Sequence, residues 1–168
     1  MIRALDPNLN RLDLTYPAGG GKFDNVSGDV GPDFKRPIVG RGAAYADFDH
    51  DGDLDLLLTT NGGPAILFRN DGGNRNKWLT VRLNGTKSNR SGLDAVVRIE
   101  SASGKQSQHV HSGSSYLSQS DLALTFGLKR DPVVSHLVVD WPSGKKQTFD
   151  NVAPNQSIII DETRGIVR

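Results

Sequence analysis

The chain contains no cysteine. That single absence removes disulfide staples, Cys-based zinc sites, iron–sulfur clusters and thiol nucleophiles together. It does not fix the compartment, because a domain of this size can live outside the cell without disulfides. Glutamate is nearly absent too: Glu100 and Glu162 stand against 17 aspartates. Asp favours turns and metal loops over helix interiors, so the ratio argues against a helical protein. No run of 18 apolar residues is present, so membrane insertion through a helix is not expected. The opening MIRALDPNLNR lacks an apolar core of the signal type. A secreted form would therefore have lost its signal or carry it upstream of this sequence.

The chain has 168 residues, enough to bury roughly 70% of its unfolded surface in one domain or two small ones. The net charge is only +1, but its distribution is uneven. Five aspartates fall between residues 47 and 55, while Arg69, Arg75, Lys77, Arg82, Lys87 and Arg90 face only Asp71 over the next stretch. The basic segment reads as a solvated strand-and-turn surface ahead of an anion-binding patch, and no nucleic-acid partner is expected.

Nineteen glycines and eight prolines punctuate the chain. The short runs between them alternate with period two or are wholly apolar, which predicts strands near 54–60, 65–69, 78–83, 95–100, 107–111, 122–126, 133–141, 146–149 and 157–161. Asn61-Gly62-Gly63-Pro64, Asn84-Gly85, Ser103-Gly104 and Pro142-Ser143-Gly144 supply turn chemistry. Residues 1–40 are polar and glycine-rich, and are expected to form a loop-rich arm with one short strand near Phe23. A boundary near residues 73–76 separates a segment at 41–75 from a second unit at 76–162, with a tail at 163–168. Trp78 and Trp141 are expected to anchor the second unit's core.

The string AAYADFDHDGDLDLLLTTN carries the chemistry. Asp47, Asp49, Asp51 and Asp55 occupy positions 1, 3, 5 and 9 of a D-x-D-x-D-G-x-x-D loop. Gly52 permits the sharp turn, and Asp53 can offer its carbonyl. Hard oxygens at this spacing suit Ca2+ better than magnesium, which keeps more of its water. Five carboxylates in nine residues repel one another unless a cation lies among them. An EF-hand would need glutamate at position 12, where this chain has Leu58. The flanks, Ala43 to Tyr45 and Leu54 to Leu58, look like strands, so this is a strand-loop-strand version of a calcium site.

The segment GRGAAYADFDHDGDLDLLLTTNGGPAILFRNDGG resembles the FG-GAP or VCBS calcium-loop repeat of integrin-like β-propellers, and GKFDNVSGDVG, within the arm of residues 1–40, resembles the end of a preceding repeat. The runs KWLTVRLNGTKSNRSGLDAVVRI, SGSSYLSQSD, LTFGL, VVDWPSGKKQTFDNV and NQSIIIDE resemble the ASPIC/UnbV domain of the cartilage acidic protein-like family. The resemblance implies calcium ligands at Asp47, Asp49, Asp51, Asp53 through its carbonyl, and Asp55. It also implies an all-β chain: a partial β-propeller-like blade with its calcium loop, packed on a β-sandwich or barrel-like C-terminal domain. It places the family's SNR turn at Ser88-Asn89-Arg90, its YLSQS run at Tyr116 to Ser120 and its WPSG turn at Trp141 to Gly144. Where relatives carry glycine after SNRxGx this chain has Asp94, which puts the shape of that turn in question.

Other constellations are weaker. His109 and His111 share a strand face, and with His136 could hold zinc, but no spacing brings the third ligand in. SGSSYLSQS is no G-x-S-x-G elbow. Its hydroxyls and Gln119 serve either to satisfy backbone groups or, with Tyr116, Asn89 and Arg90, to line a ligand groove. The expectation is thus a non-enzymatic, secreted or cell-surface module that binds calcium and recognises an extracellular glycan or protein, with homodimerisation possible through exposed strand edges. A structural cap on a larger secreted propeller protein and a carbohydrate-active hydrolase are the alternatives.

Overall fold

The computed structural model describes residues 31–72 and 75–167 together with the backbone of three earlier strands. Those strands, β1 (Ile2–Ala4), β2 (Leu12–Gly19) and β3 (Lys22–Asn25), form an antiparallel sheet in that order. A short 3-10 turn follows at Pro32–Lys35. Next comes a sheet of β4 (Gly40–Ala46), β5 (Asp55–Thr60) and β6 (Ile66–Phe68).

The remaining strands are β7 (Lys77–Asn84), β8 (Val96–Ser101), β9 (Gly104–His109), β10 (Leu124–Lys129), β11 (Val134–Asp140), β12 (Lys146–Val152), β13 (Gln156–Asp161) and β14 (Gly165–Val167). They make two four-stranded sheets, ordered β10-β7-β13-β14 and β12-β11-β8-β9. Both contribute to one apolar cluster. Leu79, Val81, Phe126, Leu128, Ile158 and Ile160 come from the first sheet; Val97, Ile99, Val134, Leu137 and Val139 come from the second. The period-two alternation explains this arrangement: in β7, Leu79, Val81 and Leu83 point inward while Arg82 is exposed. By contact density the chain divides into two compact units, one of residues 1–43 with 57–67, the other of residues 44–56 with 68–168. The aspartate loop lies wholly in the second.

The chain is all-β, as its composition predicts, but the propeller-like and barrel-like expectations are corrected. Among the described residues every sheet is open, and none is closed into a barrel or curled as a propeller blade. The sheet beside the aspartate loop has only three strands, the last of three residues. Barrel closure would require the edges β9 and β10 to exchange backbone hydrogen bonds. Instead, the Gln106 amide donates to the Gly127 carbonyl at 2.7 Å, and the Gln108 amide donates to that of Thr125 at 2.7 Å. Side chains thus occupy the β10 edge where a ladder would run. Such cover also restricts the edge-to-edge pairing that unprotected strands invite.

Trp141 is 4% exposed and belongs to the core. Trp78 is not in that cluster: it precedes the inward Leu79 and so emerges on the opposite face of β7. There its indole lies against Gly52.

Candidate metal centre

The loop between β4 and β5 is folded around its own carboxylates. Asp47 accepts hydrogen bonds from the backbone N–H of Asp51 and of Gly52, each at 3.1 Å, one to each oxygen. Asp51 accepts from the N–H of Asp53 at 3.0 Å. Asp55, 3% exposed, accepts from Phe48 N–H at 2.9 Å and Asn70 N–H at 2.8 Å. The last bond ties the loop to the chain leaving β6. His50 (φ 61) and Gly52 (φ 97) take left-handed conformations, which bring the chain round tightly enough to aim several carboxylates inward.

As a result, Asp47, Asp49 and Asp55 each present an oxygen, and these oxygens lie within 4.8 Å of one another. Asp47 is half-buried, Asp49 exposed and Asp55 buried, so one side of the cluster faces solvent. A carboxylate oxygen that accepts one N–H keeps a second lone pair. The donor set therefore fits a hard divalent cation, which takes oxygen ligands from flexible loops of this kind. Asp53 is buried, and Asp51 is half-buried within the same loop.

The loop rests on a defined floor. A Cβ built on Gly52 would stand 1.9 Å from Trp78 Cε2, so only glycine lets the turn lie flat on the indole. Upstream, Tyr45 N–H donates to Ser120 Oγ at 3.3 Å, and Asp121 N–H donates to the Tyr45 carbonyl at 2.9 Å. The approach to the loop is thereby joined to the end of the serine-rich run.

The other sequence-predicted positions fall on two separate turns. Asn89 is exposed, and its Oδ1 accepts Ser91 N–H at 2.9 Å. Arg90 contributes its carbonyl to Gly85 N–H at 3.0 Å. Tyr116 is 56% exposed and precedes Leu117, which is 90% exposed. Gln119 is used inside its own loop, accepting from Gly113 N–H at 2.8 Å and donating to the Ser120 carbonyl at 2.6 Å. Asp94 sits at φ 68. The turn thus keeps the left-handed backbone that glycine accommodates best, with aspartate tolerating it. Of the histidines weighed for zinc, His109 and His111 stack at 6.3 Å between ring centroids, while His136 Nδ1 lies 2.6 Å from Asp150 Oδ1.

Sequence reading missed a polar hub in the same unit. Glu162, 1% exposed, accepts through one oxygen from the N–H groups of Thr86 and Lys87 at 2.7 Å and of Ser88 at 2.9 Å. Its other oxygen accepts from the hydroxyls of Ser88 at 2.9 Å and Ser143 at 2.5 Å. Burial alone would raise this carboxyl, but those hydroxyl and N–H donors outweigh it and hold the pKa well below the usual carboxylate range. Asp161 is depressed likewise, by the Thr163 hydroxyl first and then by the Arg164 side chain and backbone. The SNR and WPSG turns are therefore held together by a carboxylate near the C-terminal end. Its signal in the sequence was its rarity, as one of only two glutamates.

Residues 85–167 match the family described as ASPIC and UnbV. Among curated proteins, the chain is 37% identical over 110 residues to cartilage acidic protein 1 of Xenopus tropicalis, covering 63% of this chain and 17% of that protein. The Mus musculus and Homo sapiens proteins of the same name are 36% and 35% identical over 113 residues, again covering 63% of this chain and 17% and 16% of theirs. The chain thus spans about a sixth of the length of the curated relatives it matches. The hub around Glu162 and the turns it fastens lie inside the matched region: the chain carries an ASPIC/UnbV domain and is homologous to the cartilage acidic protein family.

Proposed function

We propose that this chain is a non-catalytic, calcium-stabilised recognition module that works outside the cell, binding a glycan or a protein. The observation that carries the reading is the convergence of Asp47, Asp49 and Asp55 oxygens within 4.8 Å, in a loop pinned to Trp78 and Asn70. Asp51 and the Asp53 carbonyl complete the ligand set, in keeping with the D-x-D-x-D-G-x-x-D spacing of an FG-GAP or VCBS-like repeat over residues 41–75. The ASPIC/UnbV-like unit over 76–162 then provides the surface. Homology to the cartilage acidic protein family supports the non-enzymatic role and the extracellular setting. None of the helices among the described residues is long and apolar enough to cross a membrane.

The cation's task here is cohesion. It neutralises repelling carboxylates and fixes the β4–β5 connection to the face of β7. At extracellular calcium, a dissociation constant of roughly 10⁻⁴ to 10⁻³ M suffices. The test is thermal unfolding of metal-stripped protein titrated with calcium, with magnesium as control. A ligand held only by the folded state raises the melting temperature by mass action. A selective rise with calcium that disappears in Asp47→Asn supports the reading. An identical melting temperature with and without millimolar calcium sinks it.

A further inference from the structure

Beside the aspartate loop, the outward face of the β10-β7-β13-β14 sheet forms a groove of about 230 Å³. Asp47 and His50 rise on one side, and Val167 of β14 is part of its lining. The register writes two rows across this sheet face, of which Thr80, Ser157, Arg82, Ile159 and Val167 line the groove. Thr125, Thr80 and Ser157 align over three strands, and Arg82, Ile159 and Val167 align over the next three. The first row carries only hydroxyls, with Thr80 and Thr125 Oγ1 atoms 3.0 Å apart. In the second, the Arg82 guanidinium is held by both oxygens of Asp121, at 2.9 and 2.8 Å. Beside it the Ile159 side chain stands 40% exposed.

We infer that this groove binds a short neutral oligosaccharide through the Arg82–Asp121 pair and the hydroxyl row, with Ile159 and Val167 against the sugar's C–H surface. The inference rests on the recognition role proposed above and names its ligand class. Three features select a saccharide. The floor is a sheet face rather than an edge, so it offers side chains and no free backbone ladder for an extended peptide. Arg82 and Asp121 cancel in charge, which removes the pull on an anion. Together they still offer donors and an acceptor in adjacent positions, since the guanidinium has further N–H groups and Asp121 Oδ2 a further lone pair, Oδ1 being taken up by Arg82 and by Ala123 N–H at 3.2 Å. Closely spaced hydroxyls that donate and accept at once match that pattern, and so does the row of threonine and serine hydroxyls. The bidentate pair is already formed, so its side chains are ordered before the ligand arrives.

The experiment uses the full chain loaded with calcium and labelled for amide NMR, titrated with maltotriose, cellotriose, mannotriose, galactotriose and xylotriose. At least one of them is expected to shift the amides of Thr80, Arg82, Ser157 and Ile159. Arg82→Met is expected to weaken that binding about tenfold by removing charge-assisted hydrogen bonds. Ile159→Trp, at a partly exposed position, fills the groove and is expected to abolish it, with unchanged melting showing that the variant is folded. No shift from any of the five sugars, shifts confined to other residues, or full binding by both variants overturns the assignment. A calcium-dependent melting rise with no sugar response sinks the groove alone. Sugar shifts without any calcium effect on melting sink the metal reading alone.

Discussion

The buried Glu162 gives the sharpest test of how this domain is held together. Replacing it by alanine removes the acceptor of three backbone N–H groups and three hydroxyls in one step, the Thr86 hydroxyl being the most distant at 3.4 Å. An unsatisfied buried donor costs about 1–3 kcal/mol, but Thr86 and Lys87 are exposed residues, so water reaches part of the cradle and the two serines can bond to each other. The expected loss is about 3–5 kcal/mol, a large share of the roughly 5–15 kcal/mol of a typical domain. Glu162→Gln keeps one carbonyl oxygen for the N–H groups, but it gives up the charge and turns the oxygen that accepts the Ser88 and Ser143 hydroxyls into an NH2 donor, to which those hydroxyls must rotate as acceptors; its loss is about 1–2 kcal/mol. The assay is urea unfolding followed by circular dichroism and tryptophan fluorescence between pH 7 and pH 3. The folded-state pKa of Glu162 is depressed below its unfolded value. Its contribution is therefore complete above the ordinary glutamate pKa of about 4.3 and is lost as the pH falls towards the folded value. Wild type should weaken across that window, and Glu162→Gln should weaken less, retaining the slopes from Asp161 and Asp131, which are depressed in the same direction. If Glu162→Ala loses less than about 1 kcal/mol, or the two pH profiles are parallel, the cradle is not what joins the SNR and WPSG turns.

Gly52→Ala forces a Cβ to 1.9 Å from Trp78 at a positive φ. It should cost about 2 kcal/mol and weaken calcium binding about tenfold, read by calorimetric titration and by the loss of a calcium-dependent change in Trp78 fluorescence. Asp94→Gly relieves a left-handed aspartate at φ 68 and should stabilise by about 0.5–1 kcal/mol in the same urea assay. Joint replacement of Gln106 and Gln108 by alanine uncovers the Gly127 and Thr125 carbonyls. It should raise self-association in light scattering while lowering stability by about 1–2 kcal/mol.

Much of the strand content was legible in advance. All nine runs chosen on periodicity coincide with strands β5 to β13 to within a few residues, because a half-buried sheet imposes alternation directly on the sequence. The carboxylate cluster was legible for a similar reason. Its carboxylates are local, and the D-x-D-x-D-G-x-x-D spacing brings Asp47, Asp49 and Asp55 together within a single turn of chain. The propeller-like and barrel-like forms were read wrongly because closure depends on which edges meet, and β9 meets β10 through glutamine side chains. Trp78 was misassigned to the core because one step in register, set by Leu79, decides which face an aromatic takes.

The sequence by itself determined the all-β class, the punctuation by turns and the carboxylate loop, since each follows from backbone preference or from charges close along the chain. Only the tertiary structure decided that Glu162 fastens turns more than 70 and about 20 residues upstream, that Gly52 lies flat on Trp78, and that Arg82, Asp121 and Ser157 share one groove. Those placements come from strand order and register, including the parallel pairing of β7 with β13. Pairings between distant segments are selected by the burial of a common core, which no local stretch of sequence encodes.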